Sequence, residues 1–426
     1  MFKKIALLLI LVIGFIAASS PPANAATTPP KIYVNGSLLR LTSKPIVKNG
    51  TTLIPVRQVA EAIGLTVVFN SSTNTITFKH PYRSAKVNHK IGTDSVYADG
   101  KYKGLQAPSI ERNGVTYVPI RLFEAFDATV FWDANKNSIY VYSYELKQLQ
   151  AVVFSNLAYS NALRSYKEGT DLKEINFNKL GIRKSFEDVQ SLLGIYVVNK
   201  EDPLPVDSFL KDYVHIDEWE LVTYLKEEDF ANESSFKTMQ NSKFKGYVFR
   251  NYKTNEYMIS FAGTEIDEPG DVAADYSIMT RRVNSQKKYA YQLFQKITKE
   301  KSKPTIYLTG HSLGGNLAQA TARNFPHNYK QAYTFNAYGI NDETKDQYSK
   351  KVINSRVYAD PISAQYVQYG RTYIFKVRTY KDKYLFSAHK IFNFYGYYLL
   401  PNTKYWNKSD FPVPYVNGSP NYLWMD

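Results

Sequence analysis

Apolar and polar positions follow two different rhythms along this chain. Between residues 32 and 142 the apolar runs are short, and TITF and SIYVY alternate as half-buried strands do. The segment VKNGTTLIPVRQVAEAIGLTVVFNSSTNTITF (47–78) returns as ERNGVTYVPIRLFEAFDATVFWDANKNSIYVY (111–142). Asn49-Gly50 matches Asn113-Gly114, Pro55 matches Pro119 and Arg57 matches Arg121, at a spacing of 64 residues that becomes 63 by Phe69 and Trp132. Each copy predicts a turn, a short strand, one amphipathic helix and a hairpin, with Asn-Gly as the turn signal. Duplication of one supersecondary unit implies that the copies pack on each other. His80 and His89 are expected in loops, and Arg57 and Arg121 in buried pairing within this unit.

After Tyr142 the rhythm changes. LKQLQAVVFSNLAYSNALRSY (146–166) repeats apolar residues at helical spacing. GYVFRN and EYMISFAGT (246–264) read as strands, a long amphipathic stretch follows, and TIYLTG, QAYTFNAYG, SRVYAD and TYIFKVRTY read as further strands. Strands alternating with helices predict an α/β domain with a largely parallel sheet. The boundary falls near residue 144, so residues 31–143 form a small duplicated α+β domain and residues 145–426 the α/β domain.

Composition adds a compartment. MFKKIALLLILVIGFIAASSPPANA has a charged start at Lys3 and Lys4, an apolar stretch and a small-residue cleavage site at Ala23-Asn24-Ala25, the plan of a secretory signal over residues 1–25. The apolar run is shorter than the roughly 20 residues of a spanning helix. No later segment is apolar and long enough to cross a bilayer, so no integral membrane segment is expected after cleavage. The chain has no cysteine, which excludes disulfides and zinc–thiolate sites. Its formal charge of +15 falls to +13 once Lys3 and Lys4 leave. That balance favours anionic wall polymers or acidic lipids as neighbours. The lysines are scattered, however, and no nucleic-acid-binding signature is present. A secreted protein is expected.

The candidate chemistry lies in TIYLTGHSLGGNLAQATA (305–322). Gly310-His311-Ser312-Leu313-Gly314 is a G-x-S-x-G pattern, with a strand leading in and a helix leading out. A strand–turn–helix of this kind forces the serine to the tip of a strained turn, and side chains at the flanking glycines would collide with strand or helix. The exposed hydroxyl needs a base, and the base needs an orienting carboxylate, in the chain order serine, acid, histidine. Only His327 and His389 lie downstream. His327 comes fifteen residues after the serine, at the end of the same helix, which leaves His389. Asp360, ending a strand before Pro361, is preferred as the acid over Asp382, which sits between two lysines. Asp342 and Asp346 fall in a polar loop. Two oxyanion donors are required: the Leu313 N–H is one, and Thr264, after the strand ending in Gly263, is the other. No cofactor and no metal is implied.

Both halves resemble known families. The NG-x-x-x-(I/V)-P-(V/I)-R core, present twice, makes residues 31–143 similar to the copper amine oxidase N-terminal-like domain, a wall-associated stalk module. That resemblance implies contact with a cell-wall polymer and a spacer or adhesive role separable from catalysis. Copper does not come with it, because His80 and His89 have no third ligand at metal spacing. Residues from about 146 onward resemble the class 3 lipase family of α/β-hydrolases. Gly310 to Gly315, Gly263-Thr264, Asp360-Pro361 and His389 stand where that family has its nucleophile, oxyanion loop, triad acid and triad base. Ala262 replaces the family's frequent arginine, and Asp275-Tyr276 its usual Asp-Trp. The resemblance implies an α/β-hydrolase fold and a secreted ester hydrolase acting on lipids, with Glu265 to Met279 as candidate lid. The contrasting expectation is a non-enzymatic wall or surface binding protein that keeps the fold as scaffold.

Overall fold

The computed structural model describes residues 28–80, 83–98, 100–177, 210–212, 214–263, 276–340, 349–357, 360–375, 389, 414–415 and 422–425. The signal segment lies outside these residues. The amino-terminal region is built mainly from strands: β1 (Lys31–Val34), β2 (Ser37–Leu38), β3 (Ile46–Lys48), β4 (Thr51–Pro55), β5 (Thr66–Asn70), β6 (Thr75–His80), β7 (Arg83–Lys90), β8 (Ser95–Ala98), β9 (Lys101–Gly104), β10 (Ile110–Arg112), β11 (Val115–Pro119), β12 (Thr129–Asp133) and β13 (Ser138–Tyr142). The repeat is visible in space. Asn49-Gly50 and Asn113-Gly114 all have positive φ, the geometry a two-residue hairpin turn demands, and they close β3–β4 and β10–β11. The two copies meet where β4 pairs with β11, Ile54 opposite Val118, and their apolar residues share one core. After Pro55 the first copy forms helix α1 (Val56–Ala62), whereas after Pro119 the second forms a 3-10 helix over Ile120–Phe126.

Several sequence expectations change here. His80 and His89 are strand residues, not loop residues, and both are buried. His89 is enclosed by the Ser95 carbonyl and the Ser109 hydroxyl, and burial pushes its pKa down. Arg57 and Arg121 are on the surface, with side chains 59% and 44% exposed, pairing with Glu61 and Glu124 one helical turn away. A guanidinium following proline at the start of a helix points outward here because the inward positions are taken by Val59 and Leu122.

The second region is a ten-stranded sheet flanked by helices. In space its strands run β14 (Thr170–Asp171), β15 (Trp219–Tyr224), β16 (Gly246–Asn251), β17 (Glu256–Phe261), β18 (Thr305–His311), β19 (Gln331–Phe335), β20 (Val352–Val357), β21 (Arg371–Phe375), β23 (Tyr422–Met425) and β22 (Pro414–Tyr415). From β17 to β21 and on to β23 the pairs are parallel, but β14 to β17 and the β22–β23 pair are antiparallel, so the sheet is mixed. The reason is connection length. Only four residues join β16 to β17, enough for a hairpin turn with Asn255 at positive φ and far too few for a crossover.

Helix α2 (Tyr144–Leu157) begins at Ser143, whose hydroxyl accepts the Leu146 N–H, and lies against β17 and β18 with nearly every side chain buried. That explains its dense apolar pattern. Thr309 on β18 donates to the Ala151 carbonyl, while Leu308 faces the opposite core. Beyond helix α3 (Glu233–Asn241), the long α4 (Tyr276–Glu300) and α5 (Leu313–Asn324) cover that other face. Among the described residues no helix is long and apolar enough to cross a membrane.

The two regions touch through buried polar groups. Thr129 donates to Glu256 at 2.9 Å, Tyr142 donates to both oxygens of Glu218 at 3.0 and 2.9 Å, and His80 pairs with Glu145. The His215 Nε2–H donates to the Asn35 carbonyl at 3.0 Å, and its ring covers Gly36 so closely that a Cβ there would sit 2.0 Å from the imidazole.

Candidate active site

Strand β18 ends at His311, helix α5 starts at Leu313, and Ser312 alone makes the turn. Its φ of 58° and ψ of −127° place a non-glycine residue in a region of backbone space that costs on the order of 1–3 kcal/mol. The glycines make the turn possible. A Cβ on Gly310 would meet the Gly314 backbone at 2.3 Å, one on Gly314 the Phe261 carbonyl at 2.1 Å, and one on Gly315 the Ala337 Cβ at 2.5 Å. Strand and helix therefore approach more closely than any side chain allows. Neighbouring backbone holds the turn: the Ser312 N–H donates to Phe335, and the Ser312 carbonyl accepts from Gly315, Asn316 and Tyr338.

The sequence-chosen residues meet here. Ser312 Oγ lies 2.9 Å from His389 Nε2, and His389 Nδ1 lies 3.0 Å from Asp360 Oδ1. Asp360 is three residues beyond the end of β20 and 1% exposed. The Ile362 N–H donates to its Oδ1 and the Ser363 N–H to its Oδ2, both at 3.1 Å. Burial alone would raise the Asp360 pKa, but the adjacent imidazole and these donors outweigh it and hold the carboxyl below its ordinary range. A carboxylate so held requires the proton on His389 Nδ1, which leaves Nε2 as an acceptor facing the serine hydroxyl. Ser312 and His389 are 1% and 6% exposed, so this hydrogen bond is sheltered from water.

Leu313 is the first helical residue, so its N–H has no acceptor within the helix and sits at the positive end of the helix dipole. Thr264, the other expected oxyanion donor, lies outside the described residues, as do the lid segment through Asp275, Asp342, Asp346 and Asp382. Gly263 is described and touches the site: a Cβ there would come within 3.0 Å of the Ser312 Cβ. His327 is exposed, three residues past the end of α5. Among the described residues no group of acidic, histidine or cysteine side chains has the arrangement of a metal site.

Two neighbours escaped the sequence reading. His311 is buried, with Nε2 2.6 Å from the His389 carbonyl oxygen and Nδ1 2.8 Å from the Tyr159 hydroxyl. The only sequence signal was a histidine directly before the serine. Nothing in sequence linked it to Tyr159, 152 residues earlier.

Comparison with known proteins gives matches for both regions. Residues 33–141 match the copper amine oxidase N-terminal domain family, and residues 206–376 match the Tle-like phospholipase domain family. Ser312 and Asp360 fall inside the second match, and His389 lies beyond its end. No curated protein matches the chain. Among solved structures, a crystal structure of a mutant form of MDLA from Penicillium cyclopium aligns at 12% identity and a TM-score of 0.37, covering 58% of this chain and 85% of that one. A mono- and diacylglycerol lipase from Aspergillus oryzae aligns at 11% identity and a TM-score of 0.35, covering 55% and 81%. The Lip2 lipase from Yarrowia lipolytica aligns at 13% identity and a TM-score of 0.30, covering 55% and 75%. The chain thus carries a stretch similar to a copper amine oxidase N-terminal domain followed by one similar to a Tle-like phospholipase domain.

Proposed function

We propose that the chain is a secreted serine hydrolase with an α/β-hydrolase fold over residues 145–426, cleaving carboxylic esters of lipids. The observation that carries this reading is the unbroken chain from Asp360 through His389 to Ser312, with the serine held at positive φ between strand and helix. Ser312 Oγ attacks the ester carbonyl while His389 Nε2 takes its proton, and Asp360 fixes the tautomer and stabilises the imidazolium that forms. The Leu313 N–H, with Thr264 as second donor, holds the developing oxyanion; one such donor is worth about 10²–10³ in turnover. His389 then protonates the departing alcohol. In the second half-reaction His389 takes a proton from water, the resulting hydroxide attacks the acyl-enzyme, and Ser312 leaves with the proton returned.

A lipid substrate is favoured by the similarity of residues 206–376 to a phospholipase-like domain, and the basic surface would suit an acidic lipid layer. Residues 31–143 then serve as the wall-polymer contact. Replacing Ser312 by alanine should lower hydrolysis of a short p-nitrophenyl ester by about 10⁴–10⁶ while the protein stays folded. Fatty-acid release from phosphatidylglycerol vesicles should fall in parallel. A folded Ser312→Ala protein with undiminished ester turnover would overturn the reading.

A further inference from the structure

The three-residue chain leaves the buried imidazole next to it, His311, unused. His311 cannot serve as the base, because its Nε2 is directed at the His389 main chain and its Nδ1 at Tyr159. Its position follows from strand alternation. Leu308 and Gly310 face α5, whereas Tyr307, Thr309 and His311 face α2, whose last turn runs into Tyr159. The Tyr159 hydroxyl meets the imidazole there.

Hydrogen-bond inventory fixes its protonation. A carbonyl oxygen can only accept, so His311 Nε2 must carry the proton it donates to His389. In the neutral ring Nδ1 then holds a lone pair and accepts from the Tyr159 hydroxyl. Burial, reinforced by the nearby His389 ring at 4.8 Å between centroids, pushes the His311 pKa down to about 3, although the bond to the His389 carbonyl and, less strongly, Asp360 pull the other way. The ring therefore stays neutral while His389 gains and loses a proton during turnover.

The bond to the His389 carbonyl has geometric consequences. The imidazole of His389 must bridge 2.9 Å to Ser312 and 3.0 Å to Asp360 at once. A main-chain shift of about 1 Å at such a site costs on the order of 10²-fold in rate. We propose that His311, held at Nδ1 by the Tyr159 hydroxyl, is a positioning residue that pins the His389 backbone carbonyl and thereby sets the reach of the catalytic imidazole to Ser312. This rests on the triad reading above.

Two amide side chains separate the idea from general packing. Glutamine can place an N–H near the position of Nε2, whereas asparagine is too short to reach the His389 carbonyl and leaves it without its donor. With a soluble p-nitrophenyl ester, His311→Asn should lower kcat about tenfold to a hundredfold, with KM within roughly threefold. His311→Gln should recover most of that loss, and Tyr159→Phe should lower kcat several-fold because the buried Nδ1 then loses its donor and the ring is held at one end only. Thermal midpoints measured alongside report on packing. A folded His311→Asn protein with the kcat of the unmodified chain, or equal losses in the Asn and Gln variants, would overturn the proposal. If His311→Asn does not fold, an unchanged kcat in Tyr159→Phe overturns it and a lowered kcat at constant KM supports it. Ser312→Ala is assayed in the same series. Activity surviving there sinks the triad reading and this proposal together, whereas a dead Ser312→Ala beside a fully active His311→Asn sinks this proposal alone.

Discussion

The adjacent strands β17 and β18 carry a buried carboxylate network at each end, and the two networks have opposite designs. At the amino-terminal end, Glu256 accepts from Lys147 at 2.8 Å, Thr129 and Thr254 at 2.9 Å and Tyr307 at 3.0 Å. The Lys147 ammonium is held between the Trp219 and Tyr307 rings. Every route out of that cluster ends on an ordinary donor, and Thr129 ties it to the amino-terminal region. At the carboxy-terminal end, Asp360 is also buried and accepts from His389, Ile362 and Ser363, yet its chain ends on a serine hydroxyl in a strained turn. In both cases burial pushes the carboxyl pKa up and the partners more than reverse it. A depressed pKa therefore does not tell a structural carboxylate from a reactive one. What separates them is that only the Asp360 network runs through an imidazole to a hydroxyl held in a strained turn.

Matched amide substitutions at the two ends turn this contrast into numbers. Asp360→Asn should lower ester turnover by at least about a hundredfold, since the tautomer of His389 is no longer dictated, with a smaller effect on the thermal midpoint. Glu256→Gln should do the reverse. It leaves the Lys147 charge buried without its counter-ion, a loss of about 3–5 kcal/mol in a denaturant titration, while the folded fraction keeps its turnover. Equal activity losses in both variants would erase the distinction between the two ends. At the junction of the regions, Gly36→Ala drives a methyl group into the His215 ring. It should destabilise the whole chain by about 1–3 kcal/mol in one cooperative transition. Two separate transitions would show that the amino-terminal region unfolds independently.

A smaller effect concerns pH. His311 is neutral in the folded chain down to about pH 3 but titrates near 6.5 when unfolded, so between those values the unfolded state binds the extra proton. Its stabilising contribution is complete above about pH 6.5 and is lost progressively on acidification. Asp360 and Glu256, with depressed pKa values, lose theirs only as pH falls below about 4. His89, also depressed by burial, acts in the same direction as His311. The stability gap between the unmodified chain and His311→Gln should therefore widen from pH 4 to pH 6.5. A gap that does not change with pH would mean that His311 is protonated in the fold.

The parts legible in sequence were those ruled by local chemistry. A serine between glycines at a strand–helix junction is a steric statement, and the close approaches at Gly310, Gly314 and Gly315 are its physical content. His389 and Asp360 were reached by elimination and strand-end placement, and in the fold His389 meets Ser312 while Asp360 meets His389. The antiparallel block was readable in principle from the four-residue link between β16 and β17. The burial of His80 and His89 was not, because it depends on Glu145, 65 residues away, and Ser109, 20 residues away. Tyr159 and the contacts of Glu218 and Glu256 with the amino-terminal region were invisible for the same reason: only the folded chain brings those partners together.

The account stands or falls on Ser312 as nucleophile. Intact-mass measurement after reaction with a fluorophosphonate, followed by peptide mapping, tests it most directly. One adduct per chain, on the peptide that contains Ser312 and absent from Ser312→Ala, is the predicted result. An adduct mapped to another residue, or labelling of Ser312→Ala at the same rate, would contradict it.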